Sequence, residues 1–405
     1  MLHQLHNIGI IKNQGPESTG PFLYAPIQKN HQYRCWLELN KQQFFSNGYW
    51  LKKLIGPDVA MAVVLKSNAY GHGLIEVGHL CQEYEHISYL TVFLLSDALR
   101  LREAGITKRV LILGGYDKSI ADGILHEIDL LVYDWQTAKE IYTQALTLQK
   151  MVRVQLKVDT GLARLGFSPD EVLEVATYLS QNKFISIVGM YSHFAESDSF
   201  DTSFTELQIA RMNGLLMQLK EHNFHLPFVH MANSAGALRF KDARFTMVRC
   251  GGTWYGSYKD ERFYRDAQEI VPGFELQTVL TVKSRIIAIR NVPVGTPIGY
   301  ARSFKTIKPM RLAIVAVGYY DGYDRRLSNT GVMSVHDVAV PIIGRVGMNM
   351  TTIDVTDVSQ ATIGDEVTVI GNKSGLRLKD IAQKMNVIEY EVMPPLNPLL
   401  PRIII

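Results

Sequence analysis

The sequence predicts an α/β protein, a (β/α)8 barrel of the TIM type followed by a mostly β C-terminal domain. Three observations lead to this fold class. Eight short apolar runs alternate with helical stretches up to residue 250, the pattern changes past residue 275, and 405 residues exceed the roughly 250 that one barrel needs. A hydrophobic content of 47% and a charged content of 20% are typical of globular proteins.

The eight apolar runs predict the barrel strands because they are rich in β-branched and aliphatic residues. Between them, LIEVGHLCQEYE has one apolar helical face, and DWQTAKEIYTQAL begins with Asp134 as an N-cap. Strands that alternate with helices imply parallel β/α units, and eight of them favour a closed barrel over the alternative, an open doubly wound sheet. The predicted strands cover residues 59–65, 89–95, 109–113, 129–133, 152–158, 185–191, 227–231 and 246–250.

Past residue 275 the segments become short strands broken by Gly, Pro and Asp turns, with one helical piece at LKDIAQKM. The boundary falls near KDERFYRDAQEIVPG, which concentrates charge and ends in Pro-Gly. We therefore expect an N-terminal extension at 1–30, the barrel at 31–270 and the β domain at 271–405.

Composition excludes several classes of function. A net charge of +3 with no basic stripe argues against nucleic-acid binding. The longest apolar runs, such as LTVFLL, fall short of the roughly 18 residues that a membrane span needs, and the first residues lack a signal-peptide pattern. Three scattered cysteines, Cys35, Cys81 and Cys250, indicate reduced thiols and a cytoplasmic protein. No metal site is predicted.

Polar side chains follow the predicted strands, at the barrel end where active sites form. Lys66 ends the first strand in AVVLKSNAYGHG, and a lysine buried among apolar neighbours can form a Schiff base because burial lowers its pKa. NSAG and CGGTWYG, after strands seven and eight, supply small hydroxyls and backbone N–H groups for a phosphate. The further strand-end residues are Lys157, Arg164, His193, Asn233, Ser234, Arg249, Gly251 and Gly252.

This combination suggests pyridoxal phosphate or a phosphorylated carbonyl substrate. Taken singly, each element has a structural explanation. The lysine could extend along the surface, the glycine pair could make a turn, His193 could be a core histidine, and ANSAG could simply cap a helix. The functional interpretation depends on their joint placement at one end of the barrel.

AVVLKSNAYGHG closely resembles the pyridoxal-phosphate signature of the alanine racemase family. The resemblance continues, in the family's order, over roughly residues 33–402. It implies a barrel and a β domain in a head-to-tail homodimer that makes D-alanine for peptidoglycan. The other matching segments are LKVDTGLARLGF, YSHFAES, HMANSAG, MVRCGGTWYG, GYAR, VGYYDGYDRRLSN, PIIGRVGMNMTTIDVTD and EYEV.

By this resemblance, Lys66 binds pyridoxal 5'-phosphate covalently and exchanges protons on one face of the substrate Cα. Tyr300, in GYAR, acts on the opposite face from the partner subunit. Arg164 resembles the arginine beside the cofactor's phenolic oxygen and is expected to contact substrate. Arg249 resembles the arginine that faces the pyridine nitrogen, and His193 resembles the residue that supports this arginine.

The remaining implied roles concern phosphate and substrate. Tyr70, Ser234, Gly251, Gly252 and Tyr390 match the family's phosphate cradle. Tyr319, Met348 and Asn349 match positions at the substrate entrance across the dimer interface. Lys157 occupies the place where many members carry a carbamylated lysine.

The sequence departs from the family at several positions. Asn349 replaces the aspartate of the Met-Asp pair, Gly252 replaces a bulkier aliphatic residue, and no cysteine follows EYEV. These departures leave open a broader amino-acid racemase that acts on serine, lysine or other amino acids. A decarboxylase of the same architecture would need an acidic partner for the pyridine nitrogen, where this chain has Arg249. A non-enzymatic cofactor carrier would lack the second domain and GYAR, and an aldolase would usually carry its lysine on a later strand.

Overall fold

A computed structural model of the protein describes residues 33–258 and 260–405. The predicted N-terminal extension at 1–30 lies outside the described residues. Tyr33–Ile405 forms one compact unit. No helix in the described ranges is both long and apolar enough to cross a membrane.

All eight predicted barrel strands are confirmed. They form two parallel four-stranded sheets, ordered β4-β3-β2-β9 and β5-β6-β7-β8. Counted after the preceding strand β1 (Cys35–Leu39), they are β2 (Ala60–Val64), β3 (Ile87–Leu94), β4 (Arg109–Gly115), β5 (Leu130–Val132), β6 (Val152–Lys157), β7 (Ile185–Tyr191), β8 (Phe228–His230) and β9 (Met247–Cys250).

Backbone hydrogen bonds join the two sheets at both seams. The amide of Asp129 donates to the carbonyl of Val110 (2.9 Å) between β4 and β5, and the amide of Arg249 donates to Ala232 (2.9 Å) beyond β8. The eight strands therefore close in chain order, as the barrel prediction requires, and the open-sheet alternative is wrong.

Polar side chains close the N-terminal end of the barrel. The Tyr89 hydroxyl donates to the Asp129 carboxylate (2.6 Å) and accepts from Arg109 (2.9 Å), while Arg153 Nε donates to Asp129 (2.5 Å). These paired groups fill the N-terminal end of the barrel. The space for a site therefore lies at the C-terminal ends of the strands.

Helices follow the strands as expected, and both helices singled out from the sequence are confirmed. The Asp134 carboxylate accepts a hydrogen bond from the Thr137 amide (2.7 Å), so it caps its helix as predicted. The α-helices are α1 (Lys41–Ile55), α2 (Lys66–Tyr70), α3 (Leu74–Glu83), α4 (Leu95–Glu103), α5 (Ile120–Leu125), α6 (Trp135–Leu148), α7 (Val172–Ser180), α8 (Ser203–Glu221), α9 (Ser234–Arg239), α10 (Glu261–Ile270) and α11 (Leu378–Met385).

The β domain is built around one long strand, Leu280–Val292. It pairs antiparallel with β1 and with two later strands, Met310–Val315 and Glu366–Ile370. Its strands are β10 (Leu280–Val292), β11 (Pro297–Ile298), β12 (Phe304–Lys305), β13 (Met310–Val315), β14 (Val332–Val335), β15 (Val338–Pro341), β16 (Thr351–Asp354), β17 (Glu366–Ile370) and β18 (Arg402–Ile404). Short 3-10 turns lie at Pro169–Glu171, Lys241–Ala243, Tyr300–Arg302, Tyr319–Asp321, Arg325–Leu327 and Glu389–Glu391.

Strand β1 belongs to this sheet and not to the barrel. It lies between β10, to which it runs antiparallel, and β18, to which it runs parallel. All five of its residues are buried. The boundaries predicted for the two domains remain a prediction. They assign β1 to the barrel segment at 31–270, although β1 pairs with strands of the later sheet.

Candidate active site

A cavity of about 710 Å³ opens at the C-terminal ends of the barrel strands. Every residue predicted to bind cofactor lines it, as do Lys157 and Asn233. Residues separated by up to 330 positions in the sequence, from Val64 to Pro394, thus meet in one concave site. The position agrees with the general rule that barrel enzymes act at this end.

Lys66 lies two residues past the end of strand β2 and begins an unusual turn. Ser67, Asn68, Ala69 and Tyr70 all have φ between 53° and 55°, so the backbone forms one left-handed helical turn. Such a conformation costs an L-residue about 1–2 kcal/mol. The surrounding structure must offset this cost, and it does so while directing Lys66 and Tyr70 into the cavity.

The electrostatic surroundings favour a neutral amine on Lys66. Burial lowers its pKa below the ordinary lysine value, and the nearby positive charges of Arg164 and Arg249 lower it further. A neutral lysine can act as a nucleophile or accept a proton, which a charged ammonium cannot do.

Arg249 lies at the centre of a buried hydrogen-bond network. Nη1 donates to Nδ1 of His230 (2.7 Å), and Nη2 donates to Nδ1 of His193 (3.1 Å) and to the carbonyl of Ser192 (2.9 Å). Burial lowers the pKa of Arg249 to about 10, so the guanidinium stays charged near neutral pH. These contacts hold its charge in a fixed orientation.

His193 is neutral in this network. Burial lowers its pKa to about 2, and the charges of Arg249, Lys157 and Arg164 act in the same direction. Because a guanidinium has no acceptor, the ring must present a lone pair to Arg249, which only the neutral ring can do. The contact predicted between His193 and Arg249 is therefore present, while its functional role remains a prediction.

Lys157 also has a strongly lowered pKa. Its side chain is buried, and burial acts together with the charges of Arg249 and Arg164 to hold the pKa well below that of an ordinary lysine. Its Nζ lies 4.4 Å from the centre of the Tyr191 ring. The floor of the cavity thus carries a second amine for which the neutral form is favoured.

Hydroxyl and amide groups converge on the other side of the cavity. The amide of Gly251 and the hydroxyl of Thr253 both donate to Ser234 Oγ (3.2 and 3.1 Å), which leaves the Ser234 proton available to a ligand. A Cβ added at Gly251 would lie 2.5 Å from the Tyr70 hydroxyl, and one at Gly252 would lie 2.2 Å from the Tyr390 hydroxyl. The two glycines therefore allow the tyrosine hydroxyls to approach the backbone closely.

Comparison with known proteins identifies the family of the chain. The sequence matches the model of the alanine racemase N-terminal domain over residues 39–259 and that of the alanine racemase C-terminal domain over residues 279–404. An alanine racemase of Methanococcus maripaludis is 32% identical over 91% of this chain and 98% of its own. The chain belongs to the alanine racemase family.

Solved structures of alanine racemases share the fold. That of the Clostridium difficile 630 enzyme has a TM-score of 0.86 and 29% identity, over 93% of this chain and 97% of its own. That of the Bartonella henselae enzyme, solved with covalently bound pyridoxal phosphate, has a TM-score of 0.76 and 26% identity, over 92% of this chain and 100% of its own. The predicted family and the predicted fold are confirmed.

The residues expected to act from the partner subunit or to lie at the substrate entrance do not line this cavity. Tyr300, Tyr319, Met348 and Asn349 lie on the β domain, where the Tyr300 side chain is 70% exposed. The Tyr319 amide donates to the carbonyl of Gly347 (3.0 Å), which places the turn that carries Tyr319 beside the turn that carries Met348. Within the described part of one chain, Lys66 and Tyr300 are not brought together in the cavity.

Three residues that shape the site were not predicted from the sequence. His230 accepts from Arg249, and its Nε2 donates to Oε1 of Gln155 (2.7 Å), so both side chains help to orient the guanidinium. The Asp159 carboxylate accepts from the amide of Arg164 (2.9 Å) and fixes that loop. An Asp two residues before a glycine, as in DTG, is a turn signal that could have indicated Asp159.

Proposed function

We propose that the protein is a pyridoxal-phosphate-dependent racemase that interconverts L-alanine and D-alanine. The observation that carries the proposal is Lys66, whose pKa is lowered by desolvation and by two nearby arginines, in a cavity that also holds a hydroxyl-rich cradle and the fixed charge of Arg249. Membership of the alanine racemase family supports the reaction, and the bound pyridoxal phosphate of the Bartonella henselae enzyme supports the cofactor.

The residues present suit the chemistry of this cofactor. The space above Gly251 and Gly252 is bounded by the hydroxyls of Tyr70 and Tyr390 and by Ser234 Oγ, a donor set that suits a phosphate. Lys66 would bind the aldehyde carbon covalently, Arg164 would face the phenolic oxygen, and Arg249, held by His193, would face the ring nitrogen.

When bound, pyridoxal phosphate withdraws electrons from the amino acid and so acidifies its Cα–H bond. Racemisation then needs one group on each face of Cα, one to remove the proton and one to supply another. We assign Lys66 Nζ to one face, where desolvation and the charges of Arg164 and Arg249 lower its pKa and so make it a proton acceptor at lower pH than an ordinary lysine. Tyr300 Oη of the partner subunit is assigned to the other face.

Arg249 limits side reactions in this proposal. It has no acceptor atom, and its pKa of about 10 keeps it charged at neutral pH. A guanidinium facing the ring nitrogen leaves that nitrogen unprotonated, which weakens electron withdrawal. Weak withdrawal disfavours transamination and decarboxylation, and it suits an enzyme whose task is to exchange one proton.

The proposed active form is a homodimer in which each subunit completes the site of the other. Large side chains form an exposed group on the β domain, with Tyr300 at 70%, Tyr320 at 56% and Met348 at 54% exposure. An apolar group of this kind is typical of an interface between subunits. Docking against the partner's cavity would give Tyr300 the desolvated, positively charged surroundings that a catalytic phenol needs.

We place the reaction in the cytoplasm, where D-alanine would supply peptidoglycan synthesis. Cys35, Cys81 and Cys250 are buried free thiols, which supports a reducing compartment. Each of the three has a raised pKa, chiefly because burial disfavours the thiolate, so none is a reactive nucleophile.

The test is to incubate the purified protein and pyridoxal phosphate with single L-amino acids in deuterated water. We expect L-alanine to lose optical rotation and to gain deuterium at Cα, with serine and lysine slower. A Lys66→Ala variant serves as the inactive control. Proton exchange with no racemisation of alanine, or faster racemisation of another amino acid, would contradict the proposed reaction or its substrate.

A further inference from the structure

The left-handed turn that follows Lys66 is held from outside the barrel. Gly71, which directly follows the turn, carries a carbonyl that accepts two hydrogen bonds from the guanidinium of Arg402, one from Nη2 (2.8 Å) and one from Nε (3.2 Å). Arg402 is the first residue of strand β18 in the sheet of the β domain. A contact across 331 positions thus joins this sheet to the turn that carries the proposed catalytic lysine.

The same guanidinium also fixes the loop that precedes β18. Nη1 donates to the carbonyls of Pro398 (3.0 Å) and Leu400 (2.8 Å), and Nη2 reaches the carbonyl of Asn397 (3.3 Å). Three carbonyls of one segment and one carbonyl of the Lys66 turn therefore share a single cation. A planar guanidinium with five donors can serve several carbonyls at once, which an ammonium cannot do as well.

The two segments pack with no space between them. A Cβ added at Gly71 would lie 2.1 Å from the carbonyl oxygen of Met393, and one at Gly73 would lie 2.5 Å from Cδ of Arg402. Tyr390 and Pro394, on the same segment as Met393, line the cavity. This segment therefore forms a wall of the site and supports the turn at the same time.

Local backbone hydrogen bonds, such as that from the Gly71 amide to the Ser67 carbonyl (3.0 Å), also support the turn. The Leu74 amide donates to Asn68 Oδ1 (2.9 Å), and the His72 ring contacts the Tyr70 carbonyl (3.1 Å) and stacks on Tyr255. Four successive residues with positive φ need support from their surroundings. Arg402 provides the charged part of that support.

We infer that Arg402 is a positioning residue for Lys66: by binding the Gly71 carbonyl, it holds the left-handed turn in the conformation that directs Lys66 and Tyr70 into the cavity. The effect on catalysis rests on the proposed function, whereas the effect on the turn does not. Without Arg402, the Gly71 carbonyl loses its charged donor and the turn samples other conformations.

The test compares Arg402→Ala and Arg402→Lys with a matched control, Arg311→Ala. Arg311 also binds loop carbonyls, those of Val358 (3.0 Å) and Ala361 (2.6 Å), but on a part of the β domain that does not line the cavity. Hydrogen exchange is measured on each protein without added pyridoxal phosphate. We expect amides of residues 66–74 to exchange about tenfold faster in Arg402→Ala, less so in Arg402→Lys, and at the wild-type rate in Arg311→Ala.

A second readout follows the cofactor. With pyridoxal phosphate bound, Arg402→Ala should release it about tenfold faster, as followed by visible circular dichroism, and should lower kcat while the KM for alanine changes less than twofold. Unchanged exchange at 66–74, or faster exchange spread evenly over the chain, would overturn the inference. A wild-type protein that binds no pyridoxal phosphate would instead refute the proposed function and leave the exchange result to decide the role of Arg402.

Discussion

Nη1 of Arg249 lies 2.7 Å from Nδ1 of His230. Since the guanidinium can only donate, His230 must accept through Nδ1 and carry its proton on Nε2, which faces Oε1 of Gln155 at 2.7 Å. Burial, reinforced by the charge of Arg249, holds the pKa of His230 well below the ordinary value, in agreement with a neutral ring. The tautomer of His230, which is not among the cavity-lining residues, thus fixes the orientation of Arg249, which is.

We expect His230→Phe to lower kcat/KM for alanine about tenfold. Phenylalanine keeps the ring stacked on Tyr191, at 4.8 Å, but removes the acceptor for Arg249, and a hydrogen bond to a charged group is worth about 1.5–3 kcal/mol. Steady-state kinetics in both directions measure the change. His222→Phe, at the exposed end of α8, is the control, and equal activity of the two variants would contradict this role for His230.

Replacement of Tyr300 by Phe should abolish racemisation in both directions, while one enantiomer still exchanges its Cα–H with solvent at the Lys66 face. Each enantiomer presents its Cα–H to a different group, so loss of the phenol removes proton abstraction from one of them. The measurement is the rate at which each enantiomer gains deuterium at Cα in deuterated water. Tyr320→Phe, a change to another exposed tyrosine, serves as the control. Equal loss of deuterium uptake by the two enantiomers would count against the assignment of one group to each face.

A mixture of two inactive variants should regain activity if the site is shared. Lys66→Ala and Tyr300→Phe chains, unfolded together and refolded, should give about a quarter of the wild-type activity. Half of the dimers then pair the two variants, and each such dimer holds one intact site. Each variant refolded alone is the control. No recovery in the mixture would argue that Lys66 and Tyr300 of different chains do not act together.

Gly252→Ala should raise the Kd for pyridoxal phosphate about tenfold. The added Cβ would lie 2.2 Å from the Tyr390 hydroxyl, so Tyr390 must leave its position in the cradle. Gly115→Ala, in strand β4, has no atom within 4 Å of the new Cβ and is the matched control. Fluorescence titration gives the Kd of both variants. A wild-type Kd in Gly252→Ala would show that cofactor binding does not need the Tyr390 hydroxyl at this position.

His72 should make stability sensitive to acid. Burial lowers its pKa from 6.5 to about 4, so its contribution to stability is complete above pH 6.5 and is lost as the pH falls toward 4. The loss is about 1.4 kcal/mol per pH unit, or about 2 kcal/mol between pH 6.5 and 5.

Urea unfolding at pH 8 and pH 5 tests this value. His72→Phe keeps the ring that stacks on Tyr255 at 4.3 Å but cannot titrate. The decrease in the free energy of unfolding between the two pH values should be about 2 kcal/mol smaller in this variant than in the wild type. An identical decrease would show that His72 takes up its proton equally in the folded and unfolded states.

Local patterns were sufficient to predict the barrel and the cavity residues at its strand ends, whereas Tyr70 and Tyr390 were expected only from the family resemblance. Each strand and the residue after it are neighbours in sequence, so placing Lys66, His193 and Arg249 at one end of a barrel needs only the strand pattern and the closed topology. The same reasoning could not find His230 as a partner of Arg249, because its position at the end of β8 gives no information about which ring atom faces which neighbour.

Features that depend on long-range contact were not predictable. Strand β1 has only five residues, and its pairing with β10 joins Cys35 to Ser284. The left-handed turn has no glycine at the four positions with φ near 54°, so propensity gives little warning of it. Arg402 reaches Gly71 from the other end of the described chain, and no local motif indicates that contact.

The placement of β1 has a practical consequence for dissecting the molecule. Since β1 precedes the barrel while β10 and β18 follow it, the barrel is an insertion into the sheet, and no single cut separates the two. A fragment of residues 271–405 would lack the strand between β10 and β18, leaving β18 without its partner. Studying the sheet in isolation would require a permuted gene in which β1 is fused to it through a new linker.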